Sequence, residues 1–259
     1  MITALSLAAG VLITLFLLPK AGFLFLVLLI TGLALYEWRK LFSFHRSILH
    51  VCSPFLYLAL CAFLYSVPEV HSELLTLFVL LWGVLIIFVS LYPRGQEIYN
   101  RNTLLAFLGL LLLSGGWLGF VSIISIEGDS GKFWIVWMLL LTTCIDVGAF
   151  FGGRMLGKRK LAPRVSPAKT IEGSLSGVIL GMLICSPIVI TFFGMSLVGS
   201  ILLTLGLSVI AIFGDLVESL IKRLSGVKDS GSILPGHGGV LDRVDSILAV
   251  APFLAWSLR

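Results

Sequence analysis

The sequence predicts an all-α polytopic membrane protein of about nine transmembrane helices, with a polar cavity near the cytoplasmic face formed by the C-terminal spans. Three observations carry this reading. The 259 residues are 58% hydrophobic and 12% charged, with a mean hydropathy of +1.10, whereas soluble domains carry about 25% charged residues. Apolar runs of roughly 17 residues or more recur along the whole length, each able to cross ~30 Å of hydrocarbon as a helix. The alternating pattern of barrel strands is not seen, and backbone groups in lipid must be satisfied internally, so helices are expected.

Taken in order, the spans are Ile2–Leu18 (broken by Pro19), Phe23–Trp38, Ile48–Val67, Leu74–Leu91, Leu104–Ile126, Phe133–Phe151, Ile171–Phe193, a segment from Leu197 continuing as helix to Leu224, and Val240–Leu258. The first has no charged leader and no small-residue cleavage site, and reads as a retained helix. Residues 1–259 read as one integral membrane domain. Within it, 1–130 is hydrophobic scaffold with few ionisable groups and 131–259 holds the spans and loops that carry chemistry. Gly173, Gly177 and Gly181 recur at intervals of four in the seventh span, which lets a neighbouring helix approach closely.

Orientation follows from the cations. The loops after even-numbered spans hold 15 of the 18 lysines and arginines, and the opposite side has Lys20, Lys132 and Arg259. The positive-inside rule then places the even loops and the N-terminus in the cytoplasm and the C-terminus outside, in the cytoplasmic (inner) membrane. Trp38, Trp134 and Trp256 lie near span ends, as an aromatic belt would have them. The net charge of +5 sits between apolar spans, where topology and anionic lipid account for it and nucleic acid is not expected. Cys52, Cys61, Cys144 and Cys185 lie in apolar segments without metal-type spacing and read as small apolar residues.

The exception to this apolar character is Ser219–Asp245, SLIKRLSGVKDSGSILPGHGGVLDRVD, with the helix leading into it. Asp146 and Asp215 lie within spans, eight and seven residues before Arg154 and Lys222, which puts each on the order of 10 Å inside the basic boundary. An ionised carboxylate at that depth is by default a functional hypothesis. Asp215 and Glu218 share a helix face at i, i+3, with Lys222 continuing it, and Asp242 and Asp245 repeat the spacing at the start of the last span. A first-turn carboxylate also has a capping explanation. Asp and Glu without His or Cys form a hard-oxygen set suited to Mg²⁺ or Mn²⁺. The loop RMLGKRKLAPRVSPAKTIEG carries six cations together with Ser166 and Thr170; it is either a positive-inside anchor or, beside those acids, a site for a phosphate-bearing anion. Gly236, Gly238 and Gly239 would let backbone N–H groups approach phosphate oxygens, although the P-loop pattern is absent.

The order S-x-x-K-R-x4-K-D-x-G-x2-L-P-x-H-G-G-x-x-D-R-x-D from Ser219 to Asp245 resembles the signature of the phosphatidate cytidylyltransferases (CDP-diacylglycerol synthases). DVGAFFGGRMLGKRKLAPRVSPAKTIEGS, Asp146–Ser174, and Gly214-Asp215-Leu216-x-Glu218-Ser219 are similar to that family's segments too. The resemblance implies transfer of the cytidylyl group of CTP to phosphatidic acid, giving CDP-diacylglycerol and pyrophosphate, with Mg²⁺, at the cytoplasmic leaflet. It leaves open a second metal or a monovalent cation, and makes a homodimer an expectation. By resemblance, metal binding falls to Asp215 and Asp242 first, then Asp146 and Asp245, with Glu218 beside them. Phosphates fall to Lys222, Arg223, Lys228, Arg243 and Lys169, with Arg243 alternatively pairing an aspartate. His237 either protonates the leaving pyrophosphate or supports the turn. Ser166, Thr170 and Ser219 are caps or phosphate donors. The competing readings are an ion-coupled transporter, which would place acids at the midplane, and a CTP-dependent lipid or isoprenoid kinase.

Overall fold

The computed structural model describes residues 2–41, 48–94, 102–233 and 238–259. Among them are nine α-helices: α1 (Ile2–Leu17), α2 (Lys20–Lys40), α3 (Ile48–Ser66), α4 (His71–Leu91), α5 (Asn102–Ile124), α6 (Ser130–Leu156), α7 (Ile171–Phe193), α8 (Leu197–Leu224) and α9 (Leu241–Ser257). Six helical stretches are long and apolar enough to cross a membrane: Lys20–Lys40, Pro68–Leu91, Leu104–Ile124, Ser130–Leu156, Ile171–Phe193 and Leu197–Leu224. Large apolar side chains such as Leu17, Phe25, Phe55, Leu80, Phe107, Leu183 and Phe192 face outward, the exterior that a hydrocarbon solvent allows and water does not. At 1.5 Å per residue, α6 and α8 are each about 40 Å long. They overshoot ~30 Å of hydrocarbon, and Arg154, Lys222 and Arg223 sit in their last turns.

α6 and α7 form the most extensive helix pair, and small residues make it. A Cβ on Gly148 would stand 2.7 Å from the Gly177 Cα, and one on Gly177 would stand 2.5 Å from the Ile145 carbonyl oxygen. The glycine repeat seen in the sequence is therefore a backbone-to-backbone crossing. Trp137 Nε1 donates to the Cys185 carbonyl at 3.0 Å, and Trp134 stacks on Phe193 at 3.7 Å. α8 joins the pair through Ser200, whose hydroxyl donates to the Ser186 carbonyl at 2.8 Å. α9 runs through the interior against α5 and α8, with Ala249, Val250, Ala251 and Leu254 fully buried. The four cysteines are free thiols.

Two features differ from the sequence reading. Trp38 and Trp134 are buried inside the bundle and Trp256 is half exposed. Trp38 is held by its own hydrogen bond, Nε1 to the Leu105 carbonyl at 3.0 Å, so packing and an interior acceptor, not an interface, fix its place. The loop between α6 and α7 has regular structure that the sequence reading does not place. It forms an antiparallel hairpin of β1 (Lys160–Ala162) and β2 (Ser166–Thr170), with Lys160 opposite Thr170 and Ala162 opposite Ser166. Glu172, in the first turn of α7, pins its base: Oε2 accepts the Lys158 and Arg159 amides at 3.0 and 3.1 Å, and Oε1 accepts Arg159 Nε at 3.3 Å. Val165 is buried at the tip. The Thr170 hydroxyl caps α7 by accepting the Gly173 amide at 3.1 Å, so the hairpin leads directly into the helix.

Gly177→Val should force α6 and α7 apart and cost about 1–3 kcal/mol, the range for overpacking. Thermal unfolding and gel filtration of detergent-solubilised protein measure this. Gly206→Ala, where an added Cβ meets nothing within 4 Å, should leave both unchanged. Glu172→Ala should release the hairpin base, read as faster tryptic cleavage after Lys158, Arg159 and Lys160 than in the unaltered protein.

Candidate functional site

A cavity of about 510 Å³ opens between α6, α7, α8 and β2. Apolar side chains (Ile145, Phe150, Ile212) line part of its wall. Asp146, Arg154, Lys169, Thr170, Asp215 and Ser246 line the rest. β2 delivers Lys169 to this wall because Thr170, next in sequence, is locked as the cap of α7. Lys169 Nζ forms an ion pair with Asp215 Oδ2, and the Ser219 hydroxyl donates to Asp215 Oδ1 at 3.2 Å. Asp146, from α6, lines the same cavity, within reach of the charges of Asp215, Lys169 and Arg243.

Behind the cavity three carboxylates converge. Asp215 and Glu218 come from successive turns of α8, Asp245 from the second turn of α9, and one oxygen of each lies within 4.8 Å of the others. Glu218 is buried and the other two half-buried. Close packing makes the convergence: a Cβ on Gly214 would meet Ala249 Cβ at 2.7 Å and the Asp245 carbonyl at 3.2 Å, so glycine lets α8 and α9 touch beside the acids. Asp245 Oδ1 also accepts the Ser246 amide at 2.7 Å. These three hard oxygen donors, of which Asp215 reaches the cavity wall, are of the donor type a small divalent cation takes.

Asp242 is not one of this trio but adjoins it, its carboxyl group facing that of Glu218. Its Oδ1 accepts Lys222 Nζ at 2.8 Å, and its Oδ2 accepts the Gly239 amide at 2.8 Å; the Ser230 amide approaches both oxygens at 3.2 Å. The carboxylate therefore gathers the two ends of the preceding loop onto the start of α9. Gly238 next to it has φ of +81°, a left-handed conformation that glycine adopts without strain. Lys222 is shared: besides Asp242 it pairs with Glu218 Oε2 at 2.5 Å, and all three side chains are largely shielded from solvent. Arg223 Nε donates to the Val165 carbonyl at 3.2 Å, tying the end of α8 to the hairpin tip. Lys228 and Arg243 are exposed, and Ser166 is half-buried at the start of β2. His237 lies outside the described residues.

The site thus brings together Asp215, Glu218, Asp245, Asp146 and Lys169, with Lys222 and Asp242 adjoining through the shared lysine. Glu37 of α2, not among the residues the sequence pattern points to, is 1% exposed and hydrogen-bonded to the Leu241 amide at 2.9 Å and to the Ser230 hydroxyl at 3.4 Å. The signal was present, since an acid in an apolar span is costly. Nothing in the local pattern says that it meets a loop some 200 positions away.

The chain matches the model of the "Cytidylyltransferase family" over residues 1–259. It is 34% identical to a phosphatidate cytidylyltransferase of Haemophilus influenzae, covering 98% of this chain and 96% of that protein. It is 35% identical to one of Pseudomonas aeruginosa, covering 98% and 94%. Over 135 residues it is 48% identical to a phosphatidate cytidylyltransferase of Helicobacter pylori, covering 50% of this chain and 48% of that protein. The match spans both the outer helices and the acidic centre, and this membrane protein belongs to the cytidylyltransferase family.

Proposed function

We propose that this protein transfers the cytidylyl group of CTP to phosphatidic acid, producing CDP-diacylglycerol and pyrophosphate for phospholipid synthesis. The observation that carries the reading is the convergence of Asp215, Glu218 and Asp245 beside a lysine-bearing cavity, in a chain that matches the family from end to end. An ion-coupled transporter or a lipid kinase would need neither that match nor the full signature.

The reaction joins an oxygen of the phosphatidate phosphate to the α-phosphorus of CTP and breaks the α–β bridging P–O bond, whose electrons leave with pyrophosphate. The nucleophile arrives ionised, so no enzyme-bound covalent intermediate is required and catalysis is positioning plus charge stabilisation. Asp215, Glu218 and Asp245 are the residues that would hold a divalent cation, for which we assign Mg²⁺. Asp146 adjoins them along the cavity, and Asp242 beside Glu218 and Lys222. When bound, the cation neutralises phosphate oxygens and helps fix their geometry. Lys169, projecting from β2 onto the cavity wall, exchanges part of its pairing with Asp215 for a substrate phosphate. Arg243 and Lys228 add positive charge at the rim. Lys222 keeps Glu218 and Asp242 in register, and Arg223 holds the hairpin against α8. His237 is assigned to the leaving pyrophosphate. Ser166 and the Gly238–Gly239 turn shape the loops around these groups.

A nucleotide is soluble and a phosphatidate is not, so this reading requires a cavity that meets the bilayer at its cytoplasmic edge. We place the protein in the cytoplasmic membrane with nine spans, N-terminus in and C-terminus out, residues 1–130 as the supporting spans and 131–259 as the catalytic ones. Assembly as a homodimer is part of the same proposal.

Purified protein in detergent, given radiolabelled CTP and phosphatidic acid, should form a labelled liponucleotide. EDTA should abolish the signal and excess Mg²⁺ restore it; product formation that ignores EDTA would sink the metal assignment. Asp215→Asn should lower turnover by at least ~100-fold, the upper end of what losing even a supporting group of a metal site costs, while the protein elutes normally on gel filtration. Wild-type rates in that variant would remove Asp215 from the centre.

A further inference from the structure

Glu37 has no part in the chemistry just described, yet it is a buried acid in contact with the signature loop. Its Oε2 accepts the Leu241 amide at 2.9 Å and the Ser230 hydroxyl at 3.4 Å. Its Oε1 is buried without a hydrogen-bond partner among the described residues. The loop is shaped around this carboxyl group: a Cβ on either Gly231 or Gly239 would collide with it. Ser230 and Gly231 lie on the incoming side of the loop and Gly239 and Leu241 on the outgoing side, so one side chain touches both. Asp242 grips the same two sides, through the Ser230 and Gly239 amides. The loop neck is thus held between two carboxylates, one from α2 and one from α9.

The base of this clamp is firm. Trp38, next to Glu37, is buried and hydrogen-bonded to the Leu105 carbonyl, and the Trp38 indole fills the space left by Gly109 of α5. The Leu241 amide belongs to the first turn of α9, where free amides and the helix dipole favour a negative charge. That offsets part of the cost of burying the acid, but a buried carboxylate oxygen with no donor remains expensive. An apolar side chain in the same space would leave the Leu241 amide and the Ser230 hydroxyl without this acceptor, so the carboxyl group does more than fill space: it ties the loop neck to α2.

We propose that Glu37 is a positioning residue for the transfer reaction: it fixes the neck of the signature loop and the start of α9, and so sets where Asp242 stands and, through Lys222, where Glu218 stands. This rests on the transferase reading above. It gives the N-terminal half of the chain a specific part in the site, delivered from α2 across the bundle.

The test compares Glu37→Gln, Glu37→Asp and Glu37→Ala in purified full-length protein. Glutamine keeps the reach and an acceptor oxygen, aspartate keeps the charge but falls short by one methylene, and alanine removes both. Tryptic cleavage after the exposed Lys228 should accelerate at least fivefold in the aspartate and alanine variants and stay within twofold of wild type in the glutamine variant. kcat should fall at least tenfold in the first two and stay within threefold in the third, with KM for phosphatidic acid within threefold throughout. Unchanged cleavage and kcat in Glu37→Asp would overturn the proposal. So would losses of equal size in all three variants that track their melting temperatures, since that is what a purely structural role gives. If wild-type protein transfers nothing to phosphatidic acid, the transferase reading fails, and the cleavage comparison still reports on the clamp.

Discussion

Three carboxylates held within 4.8 Å of one another in a bundle of apolar helices set the central constraint on this molecule. Carboxylates this close oppose one another's ionisation, and burial adds to the cost of the charged form. Two lysines stand where they offset this. Lys169 pairs with Asp215 from the cavity side, and Lys222 pairs with Glu218 from the loop side. Each lysine is in turn positioned by something else: Lys169 by the hairpin that ends in the cap of α7, Lys222 by its second partner, Asp242. Much of the polar architecture of the C-terminal half serves to keep opposite charges beside a cluster that would otherwise not hold together.

The helices that carry the acids are brought together by what they lack. Gly214 lets α9 lie on α8 beside Asp215 and Asp245, and Gly148 and Gly177 let α6 lie on α7 so that Asp146 and the hairpin share one cavity. In lipid the hydrophobic effect does not drive helices together, and close van der Waals contact between small residues is what remains. The same residues that make the bundle therefore set the geometry of the acids, and a change in a crossing would be felt at the site without touching a polar atom.

The span pattern and the carboxylates were legible in the sequence because both are local properties. Hydropathy and length mark a span wherever it packs, and the ends of α7 and α8 fall at Ile171, Phe193, Leu197 and Leu224 as the apolar pattern alone places them. An acid such as Asp215 is conspicuous because its neighbours are apolar. The hairpin was not legible. Its strands are three and five residues long, and they are held by a carboxylate from the following helix and by Arg223 from the next, which no short window of sequence contains. The tryptophans misled for a related reason: proximity to a span end says nothing about which side of the helix faces lipid, and Trp38 and Trp134 face inward.

By itself, then, the sequence determined that the chain is a helical membrane protein of this family and which residues could do its chemistry, since composition, periodicity and a dense motif are written along the chain. The tertiary structure decided how those residues divide their work. It set Glu218 and Asp245 beside Asp215, placed Asp242 against Glu218, Lys222 and the loop amides, and brought Glu37 from α2 to Ser230 and Leu241. The pairings of Asp242 with Lys222, of Asp245 with Asp215 and of Glu37 with the loop join positions from 20 to about 200 apart, and they depend on which helix faces meet when the apolar surfaces pack, a property of the assembled bundle.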